Sequence, residues 1–158
     1  MPQPDHIHAL PVPEPEDLDP DLQKYMRICE EKLGFVPNVI RAYAFRPQRL
    51  RNFIATYNEL MLEETALSKL EREMIAVVVS SANRCYYCLV AHGQAVRELS
   101  GDPELGEMLA MNYRIAPLDA RMRAILDFAW KQTTASLEID DTDRQALRDA
   151  GLDDQGVW

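Results

Sequence analysis

The stretch SKLEREMIAVVVSSANRCYYCLVAH, residues 68–92, carries the signals that decide the fold. Ser68, followed three residues later by Glu71, matches a capping box, in which each side chain satisfies a backbone N–H at the start of a helix. The residues after Glu73 are apolar on nearly every side, which is typical of a helix enclosed by others. The sequence therefore predicts a central, buried helix over 69–81.

A second helix is predicted directly after this one, over about 84–99. Asn83 is a suitable N-cap for it, and the turn sequence SGDP at 100–103 ends it. If the chain reverses at residues 82 and 83, the two helices are antiparallel neighbours. This helix pair is the predicted centre of the fold.

The rest of the chain also has helical periodicity. From Asp19 onward apolar residues recur at i, i+3, i+4 and i+7, and we find no convincing alternation with a period of two. Further helices are predicted at about 20–33, 50–61, 103–112, 118–133 and 142–150. Asp153 or Asp154 would ordinarily cap another helix, so we expect the C-terminus to be cut short. The predicted fold class is all-α, a bundle of about six to seven helices.

The N-terminal part of the chain is rich in proline. Six of the ten prolines lie within residues 1–20, where neither a helix nor an inner strand could persist. We therefore predict an extended arm over 1–18 that lies along a neighbouring subunit, followed by one helical domain over 19–158. A length of 158 residues and a hydrophobic content of 47% fit a single domain with an ordinary core.

Bulk composition excludes several classes of partner. The formal charge is −9, with acidic and basic residues interspersed, so the protein's field repels nucleic acid phosphate and anionic membranes. The N-terminus lacks a basic segment followed by an apolar one, and no run approaches the roughly 20 apolar residues of a membrane span. We expect a cytoplasmic protein. In a reducing compartment, a close cysteine pair indicates catalysis or metal binding rather than a structural disulfide.

Cys85, Cys88 and His92 are spaced to share one helix face. With a turn of about 100° and a rise of about 1.5 Å per residue, the two cysteines lie about 60° apart and their Cα atoms roughly 5 Å apart. A disulfide requires a Cα separation of roughly 4.4–6.8 Å. Both thiols also lie near the start of the helix, where free N–H groups and the helix dipole favour a thiolate.

A thiol at this position still needs a base. A free thiol with a pKa of about 8.5 is only about 3% ionised at pH 7, and the dipole is worth about 0.3–1 kcal/mol, less than one pKa unit. His92 is one turn beyond Cys88 and can accept the proton. In an antiparallel pair Glu73 meets His92 at one level, where it can orient the imidazole and hold a proton in transit. Since a carboxylate near a thiolate raises the thiol pKa, Glu73 acts as proton acceptor rather than as electrostatic stabiliser.

Other interpretations of these residues stay open. Cys-x-x-Cys plus a histidine supplies three zinc ligands where a closed site needs four, and the remaining candidates, His6, His8 and Cys29, are distant in sequence. The pair would also serve a general thiol–disulfide oxidoreductase, or a redox-sensing or zinc-stabilised interaction domain. All three groups could simply be buried, as small thiols often are. Cys29 lies on the apolar stripe of its own helix, which favours a place in the core.

The segment from Glu73 to His92 resembles the alkylhydroperoxidase D branch of the carboxymuconolactone decarboxylase-like family. That signature is a glutamate, eleven residues, Cys-x-x-Cys, three residues and a histidine, and all four positions match. Tyr87 stands where the branch has a histidine. Four further stretches resemble the peroxidase-related subgroup: GFVPNVIRAYAFRP at 34–47, LERE at 70–73, LSGDPEL at 99–105 and PLDARMRAILDFAWKQT at 117–133.

The resemblance implies a thiol-dependent peroxidase. Cys88 would attack a hydroperoxide, Cys85 would resolve the resulting sulfenic acid as a disulfide, and Glu73 and His92 would relay protons. It further implies an external dithiol or disulfide reductant and a homo-oligomer. This chemistry requires no bound cofactor and no metal.

Overall fold

The computed structural model of the chain describes residues 11–158. Every regular element in that range is helical, which confirms the predicted all-α class. Nine α-helices are present there, two more than the seven segments predicted. The two additional ones, Asn38–Tyr43 and Asp154–Val157, have six and four residues and are too short for an apolar period to show. No helix of this range is long and apolar enough to cross a membrane.

The helices are named in chain order. They are α1 Pro20–Leu33, α2 Asn38–Tyr43, α3 Pro47–Leu62, α4 Lys69–Ala82, α5 Tyr86–Ser100, α6 Leu105–Asn112, α7 Ala120–Thr134, α8 Asp141–Asp149 and α9 Asp154–Val157. Single 3₁₀ turns occur at Pro15–Asp17, Tyr113–Ile115 and Ser136–Glu138. The predicted bounds agree with these to within about three residues.

The chain divides into two compact units, one extending to Leu60 and the other comprising Met61–Trp158. The first unit has its own small core, contributed by Leu18, Leu22, Met26, Ile40, Ala44 and Leu50. Helix α1 ends at Gly34, whose φ of 80° is a left-handed conformation that suits glycine. The end of the predicted helix at this glycine is thereby confirmed.

The predicted N-terminal arm falls only partly within the described residues. Residues 1–10 lie outside them. Pro15–Asp17 forms a single 3₁₀ turn, and Leu18 is buried in the core of the first unit. The extended arm over 1–18 and the domain over 19–158 therefore stay predictions.

The second unit is organised around α4. This helix packs against α5, α6 and α7, while α5 also contacts α6, and α8 contacts α7. The core of the unit is formed by Met74, Val77, Val78, Val96, Leu109, Tyr113, Ala116, Met122, Ile125, Leu126, Leu147 and Leu152. The prediction that α4 is enclosed by other helices is confirmed, because its apolar residues Met74, Val77 and Val78 belong to this core.

The capping box at the start of α4 is formed as predicted. Ser68 Oγ accepts from the Glu71 N–H at 3.2 Å, and Glu71 Oε2 accepts from the Ser68 N–H at 2.7 Å. The other carboxylate oxygen of Glu71 accepts from Arg121 Nε at 2.8 Å. Arg121 in turn donates to the carbonyls of Ala150 and Ala66, at 2.6 Å and 2.9 Å. The cap therefore also fastens α4 to α7 and to the chain around them.

Candidate functional site

A tight reversal joins α4 to α5. The N–H of Arg84 donates to Ser81 O and the N–H of Cys85 donates to Ser80 O, both at 3.0 Å. Together these two bonds form a Schellman motif, in which the first residue after the helix C-cap is left-handed and is usually glycine. Here it is Arg84, with φ of 54°, and it is the one non-glycine residue within 11–158 with a positive φ. That conformation costs an L-residue other than glycine about 1–2 kcal/mol.

The same reversal determines how α5 begins. Its N-cap is Cys85, whose Sγ accepts from the N–H of Cys88 at 3.3 Å. The expectation that Asn83 caps α5 is wrong, since Asn83 ends α4. The physical reason is that the left-handed Arg84 must separate the two helices, so α5 starts two residues later than predicted. The sulfur of Cys85 itself takes the capping position.

Cys85 and Cys88 are joined by a disulfide. Their Cα atoms are 5.3 Å apart, which agrees with the roughly 5 Å expected from helix geometry. Both residues are half-buried. Cys88 lies in the first turn of α5, which contains no acidic residue to oppose a thiolate. The sulfurs are thus bonded at a helix end whose free N–H groups favour negative charge.

Glu73 of α4 and His92 of α5 meet, as expected for an antiparallel pair. Glu73 Oε2 lies 2.6 Å from His92 Nδ1, and their side chains are 14% and 24% exposed. An ionised carboxylate can only accept a hydrogen bond, so Nδ1 then carries the ring hydrogen and donates a hydrogen bond to Glu73. Nε2 is left as the acceptor on the other edge of the ring. Because His92 comes one turn after Cys88, this histidine is on the thiol face of α5.

The two glutamates of α4 have different surroundings. Partial burial raises the pKa of Glu71, but the backbone hydrogen bond from Ser68 and the ion pair with Arg121 outweigh it, and the pKa is lower than usual. Glu71 is thus held ionised by the cap. Glu73 instead faces an imidazole, a partner that can exchange a proton with it.

The site gathers four of the residues singled out from the sequence: Glu73, Cys85, Cys88 and His92. Cys29 lies on α1 in the first unit and is buried, and burial raises the pKa of its thiol. His6 and His8 lie outside the described residues. Within residues 11–158, no three side chains of the His, Cys, Asp and Glu types are grouped so that they could hold a metal ion.

Arg84 is not among the residues predicted from the sequence to matter at this site. Its unusual backbone arises from the reversal between two long helices, and the available signal was the lack of a glycine in the segment between them. Tyr86 is 82% exposed and Tyr87 41% exposed, and Val90, one turn after Tyr86, is 50% exposed. An exposed apolar surface thus adjoins the disulfide.

Comparisons with known proteins show which family the chain resembles. The model of the carboxymuconolactone decarboxylase family matches residues 47–131. Among solved structures, an uncharacterized peroxidase-related protein from Silicibacter sp. TM1040 is 61% identical, with a TM-score of 0.93 over 100% of this chain and 83% of that one. A second, from Ralstonia eutropha JMP134 and named alkylhydroperoxidase AhpD core, is 42% identical, with a TM-score of 0.93 over 98% and 82%.

A more distant structure shares the fold alone. The debrominase Bmp8 is 20% identical, with a TM-score of 0.76 over 96% of this chain and 81% of that one. No curated protein gives a significant match. The family model spans more than half of the chain, and the close structural neighbours cover nearly all of it. The chain therefore belongs to the carboxymuconolactone decarboxylase family, with alkylhydroperoxidase D-like, peroxidase-related proteins as its close structural neighbours.

Proposed function

We propose that the protein is a thiol-dependent peroxidase that reduces alkyl hydroperoxides. The observation that carries this proposal is the hydrogen bond between Glu73 and His92. His92 lies one helical turn beyond Cys88, which is disulfide-bonded to Cys85. The arrangement provides a nucleophile, a resolving thiol and an oriented base within one helix pair. The peroxidase-related names of the two close neighbours support the same reaction class.

Cys88 is the proposed nucleophile of the first step. With both thiols reduced, His92 Nε2 takes the proton of Cys88, and the thiolate attacks one peroxide oxygen. The O–O bond breaks, the thiol sulfur is oxidised to a sulfenic acid, and the leaving alkoxide receives the proton from His92. One hydroperoxide is reduced to one alcohol. Glu73 keeps the ring oriented and stabilises the imidazolium while it holds the proton.

Cys85 is the proposed resolving thiol of the second step. Its sulfur attacks the sulfur of Cys88, the S–OH bond breaks, and hydroxide leaves as water with the proton released by Cys85. The product is the Cys85–Cys88 disulfide, the state that the structure contains. An external dithiol then reduces this disulfide to two thiols and becomes a disulfide itself. The cycle needs no cofactor.

The assignment of the two roles rests on position. Cys88 is in the first turn of α5 and one turn from His92, whereas Cys85 is the N-cap, with its sulfur directed to the N–H of Cys88. Cys88 is therefore the thiol that both the helix end and the base serve. A homo-oligomer in the cytoplasm belongs to the same proposal.

Product stoichiometry tests the proposed function. Cumene hydroperoxide is incubated with the protein and excess dithiothreitol, and hydroperoxide and alcohol are quantified by chromatography. We expect one alcohol per hydroperoxide consumed, with turnover lost in Cys88→Ser. If no alcohol forms above the dithiothreitol background while small disulfides are still reduced, the protein is a general thiol–disulfide oxidoreductase instead.

A further inference from the structure

Arg84 occupies a backbone position that does not favour it. The reversal between α4 and α5 requires a left-handed residue there, and glycine would meet that requirement without strain. The side chain of Arg84 adds nothing to the two hydrogen bonds of the reversal, because both are made by backbone groups. Its side chain therefore calls for an explanation other than local folding.

The guanidinium is available for a ligand. Arg84 is exposed, and within residues 11–158 the structure gives its side chain no hydrogen-bond or ion-pair partner. Other arginines of the second unit are paired, for example Arg97 with Glu107 and Arg121 with Glu71. Arg84 thus contributes an uncompensated positive charge.

This charge is carried by the residue next to the reactive pair along the chain. Arg84 directly precedes Cys85, so their Cα atoms are about 3.8 Å apart. The first turn of α5 contains no acidic residue, and the N-terminal end of this 15-residue helix adds its own partial positive charge. In a protein of formal charge −9, the approach to the disulfide is therefore locally favourable to anions.

Exposed apolar side chains follow Arg84 at the start of α5. Tyr86 and Val90, one turn apart on α5, are 82% and 50% exposed. A ligand with a hydrocarbon body and a carboxylate would place the body on this surface and the carboxylate against the guanidinium, which binds carboxylates through two parallel hydrogen bonds. A neutral ligand would gain only the apolar contact.

We propose that Arg84 is a specificity-determining residue that binds the carboxylate of the small molecule reacting at the Cys85–Cys88 pair. The inference rests on the proposed redox function of that pair, and it specifies the chemical class of the co-substrate. The carboxylate can belong to the dithiol that reduces the disulfide or to the hydroperoxide that oxidises the thiols, and the two sources are separated by separate half-reactions.

The reductive half-reaction uses dihydrolipoate and dihydrolipoamide, which share one dithiol and differ in a carboxylate. Oxidised protein is mixed with each, thiols are trapped with iodoacetamide, and the two rate constants are divided. Both dithiols are also reacted with oxidised glutathione, and the ratio of those rate constants corrects for the difference in their intrinsic reactivity. The oxidative half-reaction compares a fatty-acid hydroperoxide with its methyl ester on reduced protein. We expect the wild type to prefer the carboxylate by about threefold to tenfold in at least one half-reaction, the effect of one charge pair near the surface.

Three variants isolate the charge of Arg84. Arg84→Gln should bring the preference to about one, Arg84→Lys should keep part of it, and Lys69→Gln should keep all of it. Lys69→Gln makes the same change in net charge at an exposed position at the far end of α4. The wild-type preference should also shrink between 50 and 500 mM KCl, since salt screens the attraction.

A preference for the carboxylate in either half-reaction, removed by Arg84→Gln and retained in Lys69→Gln, supports the role of Arg84 in carboxylate binding. The half-reaction that shows it identifies the source of the carboxylate. Equal ratios for wild type and Arg84→Gln in both half-reactions overturn that role. If neither the ester nor the acid hydroperoxide reacts, the proposed peroxidase function fails, but the reductive half-reaction still decides the role of Arg84.

Discussion

Two regions of the chain present cysteine in different settings. Cys29 lies on α1 in the first unit, buried, without a disulfide partner, and with a thiol pKa raised by burial. Cys85 and Cys88 lie at the start of α5 in the second unit, half-buried and bonded to each other, with His92 one turn further along. The position of a thiol in its helix, and the partners there, thus determine what its sulfur can do.

The two regions also differ in the groups that act on each thiol. Desolvation by burial raises the pKa of Cys29 and outweighs the nearby charge of Lys32, which lowers it. In the proposed mechanism, the helix end and the imidazole of His92 act in one direction at the start of α5, because each would favour removal of the thiol proton. Substitutions in the two regions should therefore have unequal effects on activity.

The largest expected effect is the loss of peroxide reduction on removal of one sulfur. Cys88→Ser should lower the rate of hydroperoxide consumption by roughly a hundredfold or more, since nothing else at the site replaces the nucleophile. Cys29→Ala should change it by less than about twofold, because a buried thiol outside the site has no part in the step. Consumption is followed with excess dithiothreitol. A Cys29→Ala variant as inactive as Cys88→Ser, but equally folded by circular dichroism, would remove the contrast.

The two glutamates of α4 should separate activity from stability. Glu73→Gln removes the carboxylate that orients His92, and we expect a loss of roughly tenfold to a hundredfold in the rate of Cys88 oxidation, with a smaller change in the midpoint of urea unfolding. Glu71→Gln removes the ionic partner of Arg121 and weakens the cap, at a cost of about 1 kcal/mol in unfolding free energy, with activity retained. Equal effects of the two variants on both measurements would contradict the assignment.

Thiol alkylation should also differ between the regions. In the reduced protein at pH 8, iodoacetamide should modify Cys29 roughly tenfold more slowly than Cys88, since burial both raises the Cys29 pKa and blocks access. Because burial raises the pKa of Cys29, the folded state favours the neutral thiol. This preference contributes to stability at pH values below the pKa of the same thiol in the unfolded chain. This contribution is lost as the pH rises through the folded pKa of Cys29. Peptide mapping across pH 7–10 measures both rates, and Cys29 should lag throughout.

A smaller effect is expected from two glycines at the contact of α5 with α6. A Cβ on Gly106 would lie 3.1 Å from Gly93 O, whereas one on Gly93 would meet only the end of the Arg97 side chain at 3.5 Å. Gly93→Ala should therefore stabilise the protein by up to about 1 kcal/mol through helix propensity. Gly106→Ala should lose that gain, because the backbone next to His92 must shift to make room.

Urea unfolding of both variants, with the rate of Cys88 oxidation measured alongside, checks this pair. Gly106→Ala should be the less stable and the less active of the two. If it is the more stable, α5 and α6 are not packed as closely beside His92 as the structure indicates.

The sequence predicted what depends on local spacing. The capping box at Ser68, the enclosed helix after it and the Cα separation of Cys85 and Cys88 are all determined by residues within one or two turns of each other. The encounter of Glu73 with His92 required only the further assumption that α4 and α5 are antiparallel. The short connection between α4 and α5 favours that arrangement.

The features that could not be predicted depend on backbone conformation or on distant contacts. No local rule places a left-handed residue at Arg84, so the predicted start of α5 was two residues early and its cap was misassigned. Arg121, the ion-pair partner of Glu71, lies 50 positions away from it along the chain. The short helices α2 and α9 have too few residues to reveal a period.

The central claim is that hydroperoxide converts the thiols of Cys85 and Cys88 directly into a disulfide. Its most direct test is intact-mass spectrometry of fully reduced protein treated with one equivalent of cumene hydroperoxide, then peptide mapping. We expect the loss of two hydrogens, confined to the peptide that contains both cysteines, and a persistent sulfenic acid at Cys88 in Cys85→Ser. An unchanged mass, with stoichiometric zinc in the purified protein, would contradict it.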